Sequence, residues 1–140
     1  MDNIESQMRA LIRLALKDQN FADVERNLIT KLGVANGLSE AELEALISSE
    51  MSRDAPDRID IVFSALSFDE RFEYLYNLVH LMKADKKVFL SEIKFCQEIA
   101  AKLHFVPEAV ETLSKQIFAD PGITVDRAAL KLQLRKHDFS

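Results

Sequence analysis

The stretch that decides the fold is residues 81–105, LMKADKKVFLSEIKFCQEIAAKLHF. The same pattern occurs 67 positions earlier, in residues 14–38, LALKDQNFADVERNLITKLGVANGL. Asp18 and Glu25 in the earlier stretch correspond to Asp85 and Glu92 in the later one. The apolar positions coincide without a gap, and the matching pairs are Leu11 with Leu78, Leu14 with Leu81, Phe21 with Val88, Leu28 with Phe95, Leu38 with Phe105, Leu43 with Val110 and Leu46 with Leu113. Helical repeats bury their apolar faces against one another, so we expect two units, over about residues 8–50 and 68–118, to form one pseudo-symmetric domain.

Apolar residues recur at three- and four-residue intervals along most of the chain, which predicts eight helices and no strand. Each unit is expected to hold a helix, a short acidic turn, a second helix and a shorter third one. Ser39 with Glu42 and Ser67 with Glu70 have the spacing of capping boxes, so a helix should begin after each serine.

Two further helices are expected outside the units. A joining helix should open at residues 54–56, where Pro56 suits the first turn, and its apolar stripe is Ile59, Val62, Phe63 and Leu66. A last helix is expected over about residues 124–137, capped by Thr124.

The composition of the 140-residue chain fits one compact all-α domain of seven to eight helices, spanning residues 1–140. Hydrophobic residues make up 48% of the chain, which is enough to fill a core. Three glycines and three prolines are too few for the many turns of a β-sandwich or barrel.

Charge and cysteine content exclude other classes of protein. A net charge of −5 repels phosphate backbones, so no nucleic-acid partner is expected. The single Cys96 cannot form an intrachain disulfide, which is typical of a reducing compartment. The N-terminus lacks the pattern of a signal peptide, and no run of about 18 apolar residues could span a membrane. These features predict a cytoplasmic protein.

The two acidic turns, residues 17–25 (KDQNFADVE) and 84–92 (ADKKVFLSE), resemble a known family. In each turn an Asp ends one helix, and a Glu seven residues later begins the next. This pattern is similar to that of the tellurite-resistance TerB-like family, whose motif is Ala-Asp-Gly, five further residues and a Glu that opens an apolar helix. The resemblance covers about residues 8–118 and includes residues 99–105, IAAKLHF. The chain departs from the motif at its Gly, which is Gln19 in the first turn and Lys86 in the second, and at its Ala, which is Lys17 in the first turn.

The resemblance implies a non-enzymatic, all-helical module with a metal-linked role in stress response, including tellurite resistance. It also implies that the acidic turns bind a divalent cation. The matching ligand positions are Asp18, Glu25, Asp85 and Glu92, with Asn20 and Asp23 as weaker candidates. Oxygen ligands suit calcium or magnesium. Lys86 and Lys87 add positive charge to the second turn, so the first turn is the better candidate site.

The same carboxylates can also act without an ion. Glu25 and Glu92 fall in the first turn of a helix, where a negative charge favours the exposed backbone amides. Asp18 and Asp85 can accept hydrogen bonds from amides of their own turn. The sequence is therefore compatible with both metal binding and structural closure of the turns.

No catalytic residues are predicted. The three histidines, His80, His104 and His137, lie on different predicted elements and lack the spacing of metal-binding pairs. Cys96 shares an apolar stripe with Ile93 and Ile99, which predicts a buried, inert thiol.

The C-terminal helix supports a second hypothesis, a protein-interaction or assembly domain without a metal. It combines Val125, Ala128, Ala129, Leu132 and Leu134 with the cations Arg127, Lys131, Arg135 and Lys136. Such a helix can dock on its own domain or on a partner protein, and the sequence leaves both open.

Overall fold

Seven α-helices make up most of the chain that the computed structural model describes, which is residues 3–17, 23–52, 61, 63–84, 88–117 and 126–140. The helices are α1 (Asn3–Leu16), α2 (Asp23–Ala35), α3 (Glu40–Met51), α4 (Phe68–Lys83), α5 (Leu90–Lys102), α6 (Glu108–Gln116) and α7 (Arg127–Arg135). The only β pairing among these residues is an isolated antiparallel bridge between Phe105 and Asp138. The predicted class, a single all-α domain, is confirmed.

Both predicted capping boxes are present. The Ser39 hydroxyl accepts from the Glu42 N–H at 3.1 Å, and the Glu42 carboxylate accepts from the Ser39 N–H at 3.0 Å. Ser67 and Glu70 make the same pair of bonds at the start of α4, at 3.2 and 3.1 Å. Each box satisfies two backbone amides that have no partner within the helix, so both helices begin where their sequence dictates.

The second helices of the two halves end in the same kind of turn. After α2, the Leu38 N–H donates to the Gly33 carbonyl at 3.0 Å and the Gly37 N–H to Val34 at 3.0 Å. After α5, the Phe105 N–H donates to Ala100 at 2.8 Å and the His104 N–H to Ala101 at 3.0 Å. These pairs of bonds define a Schellman motif, whose penultimate residue has a positive φ. Gly37 has a φ of 90° and His104 a φ of 64°.

Gly37→Ala is expected to lower the free energy of unfolding by about 1–2 kcal/mol, since an L residue is strained in the left-handed region. No atom lies within 4 Å of an added Cβ, so backbone strain alone is being tested. Urea unfolding of both proteins measures it. The reverse substitution at the second turn, His104→Gly, removes the same kind of strain together with the ring contact to Phe139, so its loss of stability should be smaller than that of His104→Ala. An unchanged stability for Gly37→Ala would contradict the description of this turn.

The helix bounds follow the offset seen in the sequence. Helices α2 and α5 begin at residues 23 and 90 and end at 35 and 102, so both ends differ by 67. Helices α1 and α4 end at 16 and 83, again 67 apart. In each half the first helix packs on the second and third, and α1 and α4 pack on each other.

The core lies between the two first helices and is closed by the helices that follow them. The largest fully buried side chains on α1 and α4 include Met8, Leu11, Ile12, Leu14, Phe72, Leu75, Leu78 and Leu81. Burying such a side chain contributes about 1.5–3 kcal/mol, so the facing pair α1–α4 contributes strongly to stability. No helix in the described part of the chain is both long and apolar enough to cross a bilayer.

The predicted joining helix is wrong in its second half. Phe63 and Leu66 are described and are not helical, whereas residues 53–60 and 62 lie outside the described residues. The Ser64 N–H donates to the Asn3 Oδ1 atom at 2.9 Å, which ties this segment to the start of α1. Phe63 in this segment packs against Tyr74, with ring centroids 5.8 Å apart. Packing on the core therefore determines the path of this segment, although its apolar spacing resembles that of a helix.

The last helix is shorter than predicted. It begins after Asp126, whose carboxylate accepts from the Ala129 N–H at 3.2 Å, and it ends at Arg135 instead of near residue 137. Thr124, the predicted cap, lies outside the described residues. An Asp at the N-cap supplies both the acceptor and the negative charge that the helix start favours, which explains the later start.

Candidate metal site and buried ion pairs

The structure describes three of the six predicted metal ligands. Glu25, Glu92 and Asp23 are described, and Asp18, Asn20 and Asp85 lie outside the described residues. Asp23 is exposed, so its carboxylate is solvated at the start of α2. Glu25 and Glu92 are each only 2% exposed. The two glutamates that the sequence pattern pairs are therefore also alike in their burial.

Glu92 closes the start of α5. Its Oε1 atom accepts from the Phe89 N–H at 2.9 Å, the bond that a capping glutamate makes. This contact supports the structural role for the glutamate of the second turn. Glu25 holds the corresponding place in the first turn of α2.

The C-terminal end of α1 lies close to the second half of the domain. The ammonium group of Lys17, one residue before Asp18 in the chain, lies 5.1 Å from the centroid of the Phe95 ring on α5. Helix α1 packs on α5 as well as on α4. Lys17, the last described residue before Asp18, thus contacts α5.

Within the described part of the chain, no group of three or more His, Cys, Asp or Glu side chains could hold a metal ion. Asp18 and Asp85 are outside that part, so the four-residue ligand set of Asp18, Glu25, Asp85 and Glu92 stays a prediction.

Cys96 is packed in the core and is not poised for chemistry. It is fully buried on α5, and its Sγ atom lies 3.8 Å from the Met82 sulfur. Burial, and then the charge of Glu92, raise the pKa of its thiol well above the ordinary value. A thiol held neutral in this way is a poor nucleophile, as the apolar stripe predicted.

Each of the three histidines lies against another side chain of the domain. His104 occupies the left-handed turn and lies against Phe139, with ring centroids 5.7 Å apart. His137 Nε2 lies 3.1 Å from the Thr112 hydroxyl. Burial, and then the Arg127 guanidinium, lower the pKa of His80.

A buried ion cluster joins α1 to α3, and sequence reasoning missed it. The Glu50 carboxylate accepts from Arg13 Nε at 2.7 Å and from Arg13 Nη2 at 3.2 Å, and Arg9 Nε lies 3.1 Å from it. The Glu50 side chain is fully buried. The spacing of Arg9 and Arg13 places both on one helix face, which was the available signal, but Glu50 is 37 residues beyond Arg13.

A second ion pair holds the C-terminal tail. Arg71 on α4 donates to both carboxylate oxygens of Asp138, at 2.8 and 3.0 Å, and to the Leu103 carbonyl at 3.2 Å. Its guanidinium also lies over the Phe68 and Phe105 rings, at 5.6 and 5.2 Å from their centroids. The tail is thereby fixed where α4 begins and α5 ends.

No family model, curated protein or solved structure matches this chain.

Proposed function

We propose that this chain is a non-enzymatic module of the TerB-like type. The observation that carries the proposal is the correspondence between the two halves. Helices α2 and α5 have the same length, both of their ends differ by 67 positions, and both end in a Schellman turn. The packing roles of Cys96 and His104 support the non-enzymatic part, because both side chains are taken up by the fold.

The module binds a divalent cation, calcium or magnesium, at its acidic turns. The burial of Glu25 and Glu92 at the same place in each half favours this function. Both glutamates stand at positions that the family resemblance gives to ligands of the ion. Asp18 and Asp85 supply the second carboxylate of each turn, and Asn20 and Asp23 add oxygens to the first. A role in metal-linked stress response follows from the family resemblance.

Addition of calcium or magnesium to chelator-treated protein is expected to raise Tm by about 3–10 °C, because a ligand that binds only the folded state stabilises it. Differential scanning calorimetry of the full chain measures the shift. The double variant D18N/D85N should lose the shift, and E40Q/E98Q, which removes two exposed carboxylates elsewhere, should keep it. An unchanged Tm up to about 10 mM of either ion would exclude the cation from the proposal.

The second candidate function is protein interaction or assembly without a metal. Helix α7 favours it, because this basic helix binds the rest of the domain through charges and aromatic rings. An ion titration without response, together with binding of a basic helix in trans, would select this candidate.

A further inference from the structure

Helix α7 contacts α4 through a ladder of cations and aromatic rings. The Arg135 guanidinium lies 4.2 Å from the Phe68 centroid, the Lys131 ammonium 5.5 Å from Phe72, and the Arg127 guanidinium 4.1 Å from Tyr76. The cations and the rings both recur every four residues, in opposite order along the chain. The two helices are therefore antiparallel, with one cation per turn over one ring per turn.

Acidic side chains extend the same surface of α4. The Glu73 carboxylate pairs with Arg127, and the Asp69 carboxylate lies 3.6 Å from the Lys131 ammonium. We call Phe68, Asp69, Phe72, Glu73 and Tyr76 the α4 face. Its rings present their negative faces and its carboxylates add charge, so it suits a cation-bearing helix and repels phosphate.

Charged contacts with this face and two buried leucines together hold α7, which packs on α6 as well as on α4. Its nine residues bury only two side chains, Leu130 and Leu134, whereas Ala128, Ala129 and Leu132 are exposed. A helix this short is marginal by itself, so its contacts decide whether it stays docked. Ion pairs and cation–π contacts at partly exposed sites contribute little each and weaken with salt.

We propose that the α4 face is a docking surface for a basic amphipathic helix of another protein, and that α7 occupies it within the chain until such a helix displaces it. The fitting partner carries cations at every fourth position and apolar residues three places after a cation, as Arg127 and Leu130 are spaced. This inference goes beyond the proposed function, because none of its residues belongs to the acidic turns.

The test uses the full chain and a fluorescent peptide of residues 124–136, in the presence of chelator. That peptide lacks Asp138, so the tail keeps its own bond to Arg71. The variant R127Q/K131Q/R135Q weakens α7 and should bind the peptide at least about ten-fold more tightly than the natural sequence, because the intramolecular competitor is weaker. The control K31Q/K94Q/K115Q removes three exposed cations elsewhere and should bind as the natural sequence does.

Charge on the peptide should decide its affinity. A peptide with the same three glutamines is expected to bind about ten- to one-hundred-fold more weakly, from the loss of three cation–π contacts. The variant L130D removes the apolar hold of α7 and should also bind the unaltered peptide. If both variants keep their helical circular dichroism and neither prefers the cationic peptide, the docking surface is refuted. If the natural chain self-associates and the peptide reverses that association, the α4 face binds a second copy of this chain. That result would overturn the proposal that the partner is a helix of another protein.

Discussion

Glu50→Gln is expected to lower the free energy of unfolding by about 3–5 kcal/mol, the largest effect we predict for a single polar substitution. The Glu50 side chain is fully buried and lies within 3.2 Å of nitrogen atoms on two arginines. Glutamine keeps the shape but loses the charge, and its amide group brings donors towards the donors of Arg9 and Arg13. Both guanidinium groups then lose the Glu50 anion, and the Arg13 side chain is only 7% exposed.

Thermal and urea unfolding measure this effect, and a fall in Tm of about 10–20 °C is expected for a chain of this length. Glu44→Gln is the matched control. It removes the partner of Arg26, an ion pair of 2.9 Å whose side chains are 39% and 64% exposed. Such a pair contributes about 0–1 kcal/mol. Equal losses in the two variants would show that burial of the Glu50 cluster does not carry the stability assigned to it.

Arg71→Met is expected to destabilise the domain by about 2–4 kcal/mol, because it breaks a two-bond contact with Asp138 and two contacts with aromatic rings. Methionine retains part of the packing volume, so the loss reports mainly on the charge. The double variant R71M/D138N separates the ion pair from the packing. We expect a coupling of about 1.5–3 kcal/mol, and a coupling near zero would mean that the pair does not fasten the tail.

The same pair makes stability depend on acidity. Hydrogen bonds from the Arg71 side chain, more than any other contact, hold the pKa of Asp138 below its ordinary value of 3.8. A carboxyl group with a lowered folded-state pKa stabilises the fold fully above its unfolded pKa. That stabilisation is lost as the pH falls from about 4 towards the folded-state value. Urea unfolding at several pH values below about 5 should therefore show a steeper loss for the natural sequence than for Asp138→Asn, and equal slopes would contradict this.

Local signals in the sequence predicted most of the helices. The capping boxes at Ser39 and Ser67 satisfy amides within four residues of the serine, so the information needed to begin α3 and α4 is contained in the segment itself. Gly37 marks the end of α2 for the same reason. At the end of α5, His104 has a positive φ although it is not a glycine, because packing and hydrogen bonds hold it in that conformation.

Long-range contacts explain what the sequence did not predict. Phe63 and Leu66 have helical spacing, but they lie in a non-helical segment that is tied to Asn3, 61 residues away, by a bond from Ser64. The partners in the Arg13–Glu50 and Arg71–Asp138 ion pairs are 37 and 67 residues apart, beyond the reach of any pattern of helical period. Packing of the folded chain determines which of the 18 basic and 23 acidic residues form these pairs.

The cation site itself stays a prediction, and the structure bears on it only through the positions of Glu25 and Glu92. The pattern singled out Glu25 and Glu92 from the other acidic residues, and the structure places both in the interior at the start of a helix. The pattern placed both glutamates where a helix opens, and it could not reveal that their side chains are buried. The role of Asp18 and Asp85 stays a prediction.

A crystal structure of the chain grown with calcium, with an anomalous difference map and a superposition of the two halves, tests the central claim most directly. We predict that residues of α1, α2 and α3 superimpose on those of α4, α5 and α6, and that oxygen atoms of Asp18 and Glu25 surround a peak in the map. Halves that do not superimpose, or carboxylates that point away from each other with no peak between them, would contradict the account.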